Sequence, residues 1–352
     1  MAYLVPWRGG IDTGPFKKVS GQAAAWRDLG VEVGLFVATT ARAVPDWEAL
    51  GHPGKVTAAV GSVRAKALER RELVRAVLDW APDLVYERHA LWAPALSAMS
   101  RRVATVIEVN GDDRREFRLQ GRAKNAANEL TRTWNYRRAR ALVFVTAELS
   151  RLPSYRRFGL PCQVLGNGIA LEAMPELPAS SEPRPGLVWL GDPRSPFQST
   201  EQVLALAAAR PQWRVDVIGP VKPAGLTCPA NVTWHPNCPP EDYYPLLARA
   251  DVGIGTLDAY RTGMSEASAL KVREYLACGL ATVIGYRDTD FPQRVPYLLQ
   301  VPNRPTGLME SLAALDAFVD GWHHRRVARA DVAHLDTRVK ERTRLDFLQR
   351  FL

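Results

Sequence analysis

The feature that most constrains this chain is an alternation of short apolar strands with helical segments, made twice. In the first run, Tyr3 to Trp7, Val31 to Val37, Pro82 to Arg88, Val103 to Asn110, Ala141 to Thr146 and Cys162 to Leu165 read as strands. Helical periodicity fills Lys17 to Leu29, Arg64 to Trp80, Leu91 to Arg101 and Ala123 to Arg140. Strands separated by helices of this length pair in parallel as βαβ units. A proline- and serine-rich stretch within residues 173–185 then reads as a linker. The alternation restarts with strands at Gly186 to Gly191, Trp213 to Gly219, Val232 to His235, Asp251 to Thr256 and Leu280 to Tyr286. Helices are expected at Thr200 to Ala209, Tyr243 to Arg249, Leu308 to Val319 and Val339 to Leu352. The expected fold is α/β: two doubly wound Rossmann-like domains facing across a cleft, residues 1–172 and 186–330. Residues 331–352 are expected as a C-terminal helix returning to the first domain.

At 352 residues the chain can hold two such cores. No apolar run approaches the ~20 residues that span a bilayer, and the N-terminus enters a strand without a signal-peptide pattern. Cys162, Cys228, Cys238 and Cys278 make no C-x-x-C pair, which fits reduced thiols in a cytoplasmic protein. The net charge of +9 favours anionic substrates or peripheral contact with an anionic membrane. Nucleic acid is not expected, because the arginines are dispersed and no zinc-finger spacing or RNP-like motif is present.

In doubly wound sheets, ligands bind at the carboxyl ends of the strands. Arg8 to Gly14, Arg88-His89 and Glu108 to Asp112 occupy those ends in the first half. The loop holding Gly10 and Gly14 is not G-x-G-x-x-G, so a dinucleotide fingerprint is absent. In the second half, Ser265 to Gly279 holds Glu266 and Glu274 with seven residues between them, and Lys271 in the interval. A loop there turns into a helix that closes on Gly279, leaving first-turn N–H groups to receive a phosphate. An amphipathic helix with two solvated glutamates would carry the same pattern.

Taken together, these elements resemble the GT-B glycosyltransferases, specifically the retaining family 4. Glu266 to Glu274, followed by Tyr275-Leu276-Ala277-Cys278-Gly279, resembles the family's E-x7-E element. Val164 to Ile169, Leu187 to Gly191 and Ala248 to Ile254 resemble flanking family segments in family order. The resemblance implies a nucleoside diphosphate sugar as donor substrate, no cofactor and no metal. It places Glu274 on the donor ribose and Glu266 on the transferred sugar. Ser268, Ala269, Leu270 and Gly191 would line the donor, with Lys271 and Arg194 as cations for the leaving diphosphate. Asn110 stands where many members have histidine, and Gln198 near a usual lysine. Gly10, Gly14, Lys18 and Arg88 fall on the acceptor side, for a glycan or lipid-linked acceptor. These departures keep a non-catalytic nucleotide-sugar-binding partner subunit as the alternative.

Overall fold

The computed structural model describes residues 1–6, 14–39, 54–58, 63–191, 200–219 and 222–352. It divides into two compact units, Met1–Gly168 with Thr337–Leu352, and Ile169–Asp336. Among the described residues, the first unit holds β1 (Ala2–Val5), β2 (Gly34–Thr39), β3 (Gly54–Ala58), β4 (Leu84–Arg88), β5 (Ala104–Val109), β6 (Ala141–Phe144) and β7 (Cys162–Val164). These form one parallel sheet in the order 3-2-1-4-5-6-7. The order reverses between β1 and β4, which opens a crevice at their carboxyl ends. Tyr3, Trp26 and Tyr86 pack with ring centroids 5.1 to 5.3 Å apart, and Phe347 and Leu348 join the same core. The helix Gly14–Asp28 stops just before Gly30, whose φ of +87° supplies the left-handed turn.

The second unit repeats the plan with β8 (Gly186–Leu190), β9 (Arg214–Ile218), β10 (Val232–His235) and β11 (Val252–Ile254). After β11 come β12 (Glu266–Ala267), β13 (Ala281–Ile284), β14 (Arg287–Asp288) and β15 (Leu298–Gln300). The parallel sheet runs 10-9-8-11-13-15, with β12 and β14 paired as a separate two-stranded ribbon. Its reversal lies between β8 and β11. The structure therefore has the two doubly wound Rossmann-like sheets that the alternation predicts.

Several local readings change. The strand β3, the helix Asp113–Leu119 and the strand β15 are additional; each is too short to carry a readable period. The helix expected over Leu308 to Val319 is two helices, Gly307–Glu310 and Leu312–Trp322. Residues 173–185 lie within the second unit, where Ser180 donates to the Arg249 carbonyl and Glu182 pairs with Arg249 and Arg214. The returning helix is Thr337–Leu348, and residues 331–336 belong to the second unit. Among the described residues no helix is long and apolar enough to cross a membrane.

Candidate functional site

In the second unit the site grows from the helix Leu270–Ala277. Two glycines let it lie close to the sheet. A Cβ on Gly253 would come within 2.5 Å of the Tyr275 ring, and one on Gly255 within 2.8 Å of Val272. The Tyr275 hydroxyl accepts the Leu190 N–H at 2.6 Å, tying the end of β8 to the helix. The helix stops where Gly279 takes a φ of +86° and Leu280 N–H donates back to the Tyr275 carbonyl.

The entry to the helix is held from beneath. Arg273 is fully buried and donates to both Asp288 oxygens at 2.7 and 2.8 Å, to Asp290 at 2.7 Å and to the Ser268 hydroxyl at 2.7 Å. This network fixes the loop between Glu266 and Leu270 without using the helix's own first-turn N–H groups. The N-cap, Ala269, supplies no side-chain bond to them; its carbonyl takes the Val272 N–H at 3.1 Å, and the positive end of the helix dipole favours an anion there. Half-buried Glu266 pairs with β14 and approaches exposed Arg287 at 3.4 Å.

Lys271 lies in the first turn, its ammonium 5.5 Å from the centre of the Trp189 ring on β8. Burial lowers its pKa to about 7, because a desolvated ammonium loses its hydration energy. Glu274 accepts a hydrogen bond from the Tyr243 hydroxyl of the helix Pro240–Arg249. Burial, and then the Glu274 carboxylate, raise the Tyr243 pKa, so its proton stays on the phenol. Lys271 and Glu274 stand on one helix beside the end of β8, with half-buried Gly191 directly after that strand.

The first unit collects a different set. Lys18, on the helix Gly14–Asp28, donates to Glu108 at 2.9 Å and to Asn110 at 3.0 Å. Arg88 and Arg344 each approach the same carboxylate at 3.7 Å. Arg344 also binds Glu341 and the Tyr86 hydroxyl, and Glu341 continues to Gln22 and Tyr3. Burial pulls the Lys18 pKa down to about 8, helped by Arg88 and Arg344 and resisted by Glu108. For Glu108, burial alone would raise the pKa, but Lys18, Arg344 and Arg88 together hold it far below the usual carboxylate range. Asn110 turns its oxygen to Lys18, and its buried amide nitrogen has no partner among the described residues. Gly14 opens the first helix, whereas Gly10, Arg194 and Gln198 lie outside the described residues.

Sequence reasoning missed Tyr243, the Arg273 network and Arg344. Their partners Glu274, Asp288 and Glu108 lie from 15 to more than 200 residues away in the chain, and no local pattern marks them. His89 stacks on Tyr136 with ring centroids 5.5 Å apart and planes 4° apart, a packing role. His324 is exposed. His323 is half-buried, and both residues close on the buried Asp251 carboxylate, through the His323 ring at 3.2 Å and the His324 N–H at 3.0 Å. Asp251, His323 and His324 form the group that could hold a metal ion among the described residues, at the amino end of β11. Asp251 already accepts the Gly186 N–H as well, which joins the starts of β8 and β11 to the end of Leu312–Trp322.

No family model and no curated protein matches the chain. Solved structures do. A sucrose-phosphate synthase of Thermosynechococcus elongatus superposes with a TM-score of 0.72 at 12% identity, covering 99% of this chain and 98% of its own. HepE of Anabaena, in complex with UDP and glucose, superposes at 0.69 with 14% identity, covering 99% and 100%. The fold is GT-B. The lipopolysaccharide outer core galactosyltransferase WaaB superposes at 0.66 with 9% identity over 99% of each chain. Similarity at these identities establishes the architecture, and the site's chemistry must be argued from its own residues.

Proposed function

We propose that this protein is a retaining glycosyltransferase of family 4 type, moving a sugar from a nucleoside diphosphate sugar to an acceptor hydroxyl in polysaccharide or glycolipid synthesis at the cytoplasmic membrane face. One observation carries the reading: Glu266 and Glu274 flank a helix start with no side-chain cap, and Lys271, with its lowered pKa, sits in that first turn. An anion placed there meets backbone N–H groups, the helix dipole and an ammonium together. Glu274 accepts from the donor ribose and Glu266 from the transferred sugar, while Gly191 lets the backbone approach. Backbone N–H groups of Ser268, Ala269 and Leu270 face the diphosphate. The bond from the anomeric carbon to the diphosphate breaks, and the acceptor oxygen bonds that carbon on the same face. The acceptor proton passes to the departing phosphate oxygen. Lys271 and Arg194 stabilise the charge on the leaving group. Asn110, Lys18, Arg88, Gly14 and Gly10 serve the acceptor side. That the HepE structures hold UDP or UDP-glucose, and that WaaB is a galactosyltransferase, supports a UDP-linked donor.

Thermal shifts with UDP, GDP, ADP and their sugars test the donor directly, because ligand binding to the folded state raises its stability. UDP is expected to give the largest shift. Glu274→Ala should abolish that shift and the transfer while the protein stays folded. Unchanged affinity and turnover in that variant would sink the assignment. A second reading, a partner subunit that binds donor without turnover, is favoured by Asn110, which cannot take up a proton at the position where many members of the resembled family have histidine. Donor hydrolysis separates the two: a non-catalytic binder shows the shift and releases no free sugar.

A further inference from the structure

The helix Arg122–Arg137 in the first unit is amphipathic in the inverted sense. Its inward face is polar. Arg132 is 1% exposed and grips the Asp113 carboxylate through Nε at 2.8 Å and Nη2 at 3.0 Å. Asn128 donates to the same carboxylate at 2.7 Å, Tyr155 adds its hydroxyl at 2.6 Å, and Asn135 donates to the Ala90 carbonyl. Its outward side carries an apolar stripe among exposed Arg122, Lys124, Glu129 and Arg137. Ala123, Ala126, Leu130 and Trp134 recur at spacings of three and four, so they share one side. Leu130 is 77% exposed and Trp134 56% exposed. Rotating the helix to hide them would strand the buried Asp113–Arg132 pair, so the fold commits this stripe to the outside.

The stripe ends in a cationic hollow. Trp92 and Trp134, with ring centroids 5.2 Å apart, line an open depression of about 770 Å³ together with Arg101, Arg137 and Arg140. The side chains of these three arginines have no hydrogen-bond or ion-pair partner among the described residues. Arg138, in the same wall, is occupied by buried Glu87 at 2.7 Å. Uncompensated guanidinium groups beside tryptophan and leucine match a surface whose outer layer is anionic and whose next layer is apolar.

We propose that this face docks on an anionic phospholipid bilayer, with Leu130 and Trp134 entering the acyl boundary and Arg101, Arg137 and Arg140 receiving lipid phosphates. A second copy is the poorer occupant. A two-fold contact would set the arginine cluster against itself, in a chain whose net charge is already +9. The proposal is independent of the donor site, so UDP-induced thermal shifts in the same preparations separate its failure from failure of the transferase reading.

The experiment is co-sedimentation of the full chain with vesicles of phosphatidylcholine alone and of phosphatidylcholine with phosphatidylglycerol. The wild type should partition onto the anionic vesicles, release as salt rises, and stay with the supernatant on neutral ones. Arg137→Gln with Arg140→Gln should weaken partitioning by roughly fivefold per arginine. Leu130→Ser with Trp134→Ser should weaken it at equal cation count, with the UDP shift retained in both pairs. No partitioning onto anionic vesicles overturns the proposal, as does partitioning that neither pair changes. Self-association or duplex DNA binding that is abolished by these substitutions, without vesicle binding, also overturns it.

Discussion

At the carboxyl ends of β4 and β5, Lys18, Arg88 and Arg344 surround one carboxylate, Glu108, and a second acid, Glu341, completes the set. Beside the end of β8, a single lysine lies against Trp189, and desolvation alone accounts for its lowered pKa. The two units share one strand order, yet the first holds its buried lysine on a carboxylate that two arginines also approach, while at the helix start of the second burial alone brings the Lys271 pKa to about 7. The difference teaches where binding energy is held in reserve. A compensated cluster stabilises the fold, whereas a desolvated cation gains most when an anion arrives.

The sharpest way to break this comparison is Arg344→Met. It strands Glu108 and Glu341 with fewer cations, and the expected loss of stability is about 3–5 kcal/mol in urea unfolding. A loss below ~1 kcal/mol would show that the first unit's charges do not hold its fold together, which is within the range of exposed pairs. Lys271→Met should act in the opposite sense. Stability should stay level or rise, while UDP affinity falls about ten- to a hundredfold, the scale of a lost charged hydrogen bond. A variant that both unfolds and binds UDP normally would reverse the roles assigned to the two units.

The pH dependence follows from the direction of the Lys271 shift. With its pKa lowered to about 7, the side chain is charged below that pH and neutral above it in the unliganded protein. A diphosphate favours the charged form. UDP affinity should therefore be flat below pH 7 and decline as pH rises above it, by up to about tenfold per unit. Calorimetry at pH 8 in two buffers of different ionisation enthalpy should detect proton uptake on binding, absent in Lys271→Met. The smallest effect is expected from Tyr243→Phe, which removes one hydrogen bond to Glu274. UDP affinity should change by no more than roughly tenfold, and a larger loss would mark Tyr243 as a donor contact in its own right.

Much of this architecture was legible before any coordinates. The short apolar runs between helical segments place most strands of both sheets, and Gly279 marks the end of the helix that carries Glu274. Short elements escaped: the five residues of β3 and the three of β15 contain too little pattern to separate from loop. At the site, Glu266, Lys271 and Glu274 were readable because one loop and one helix carry all three. Tyr243 was not, since its hydroxyl reaches Glu274 from 31 residues away.

By itself, then, the sequence determined the α/β alternation, its repetition and the local spacing of the two glutamates, because periodicity and helix ends are governed by interactions over a few residues. Only the tertiary structure decided which charges are answered. It set Arg273 between Asp288 and Asp290, brought Arg344 back to Glu108, and turned Leu130 outward by burying Arg132 on Asp113. Those outcomes depend on desolvation where distant elements meet, and no stretch of neighbouring residues carries that information.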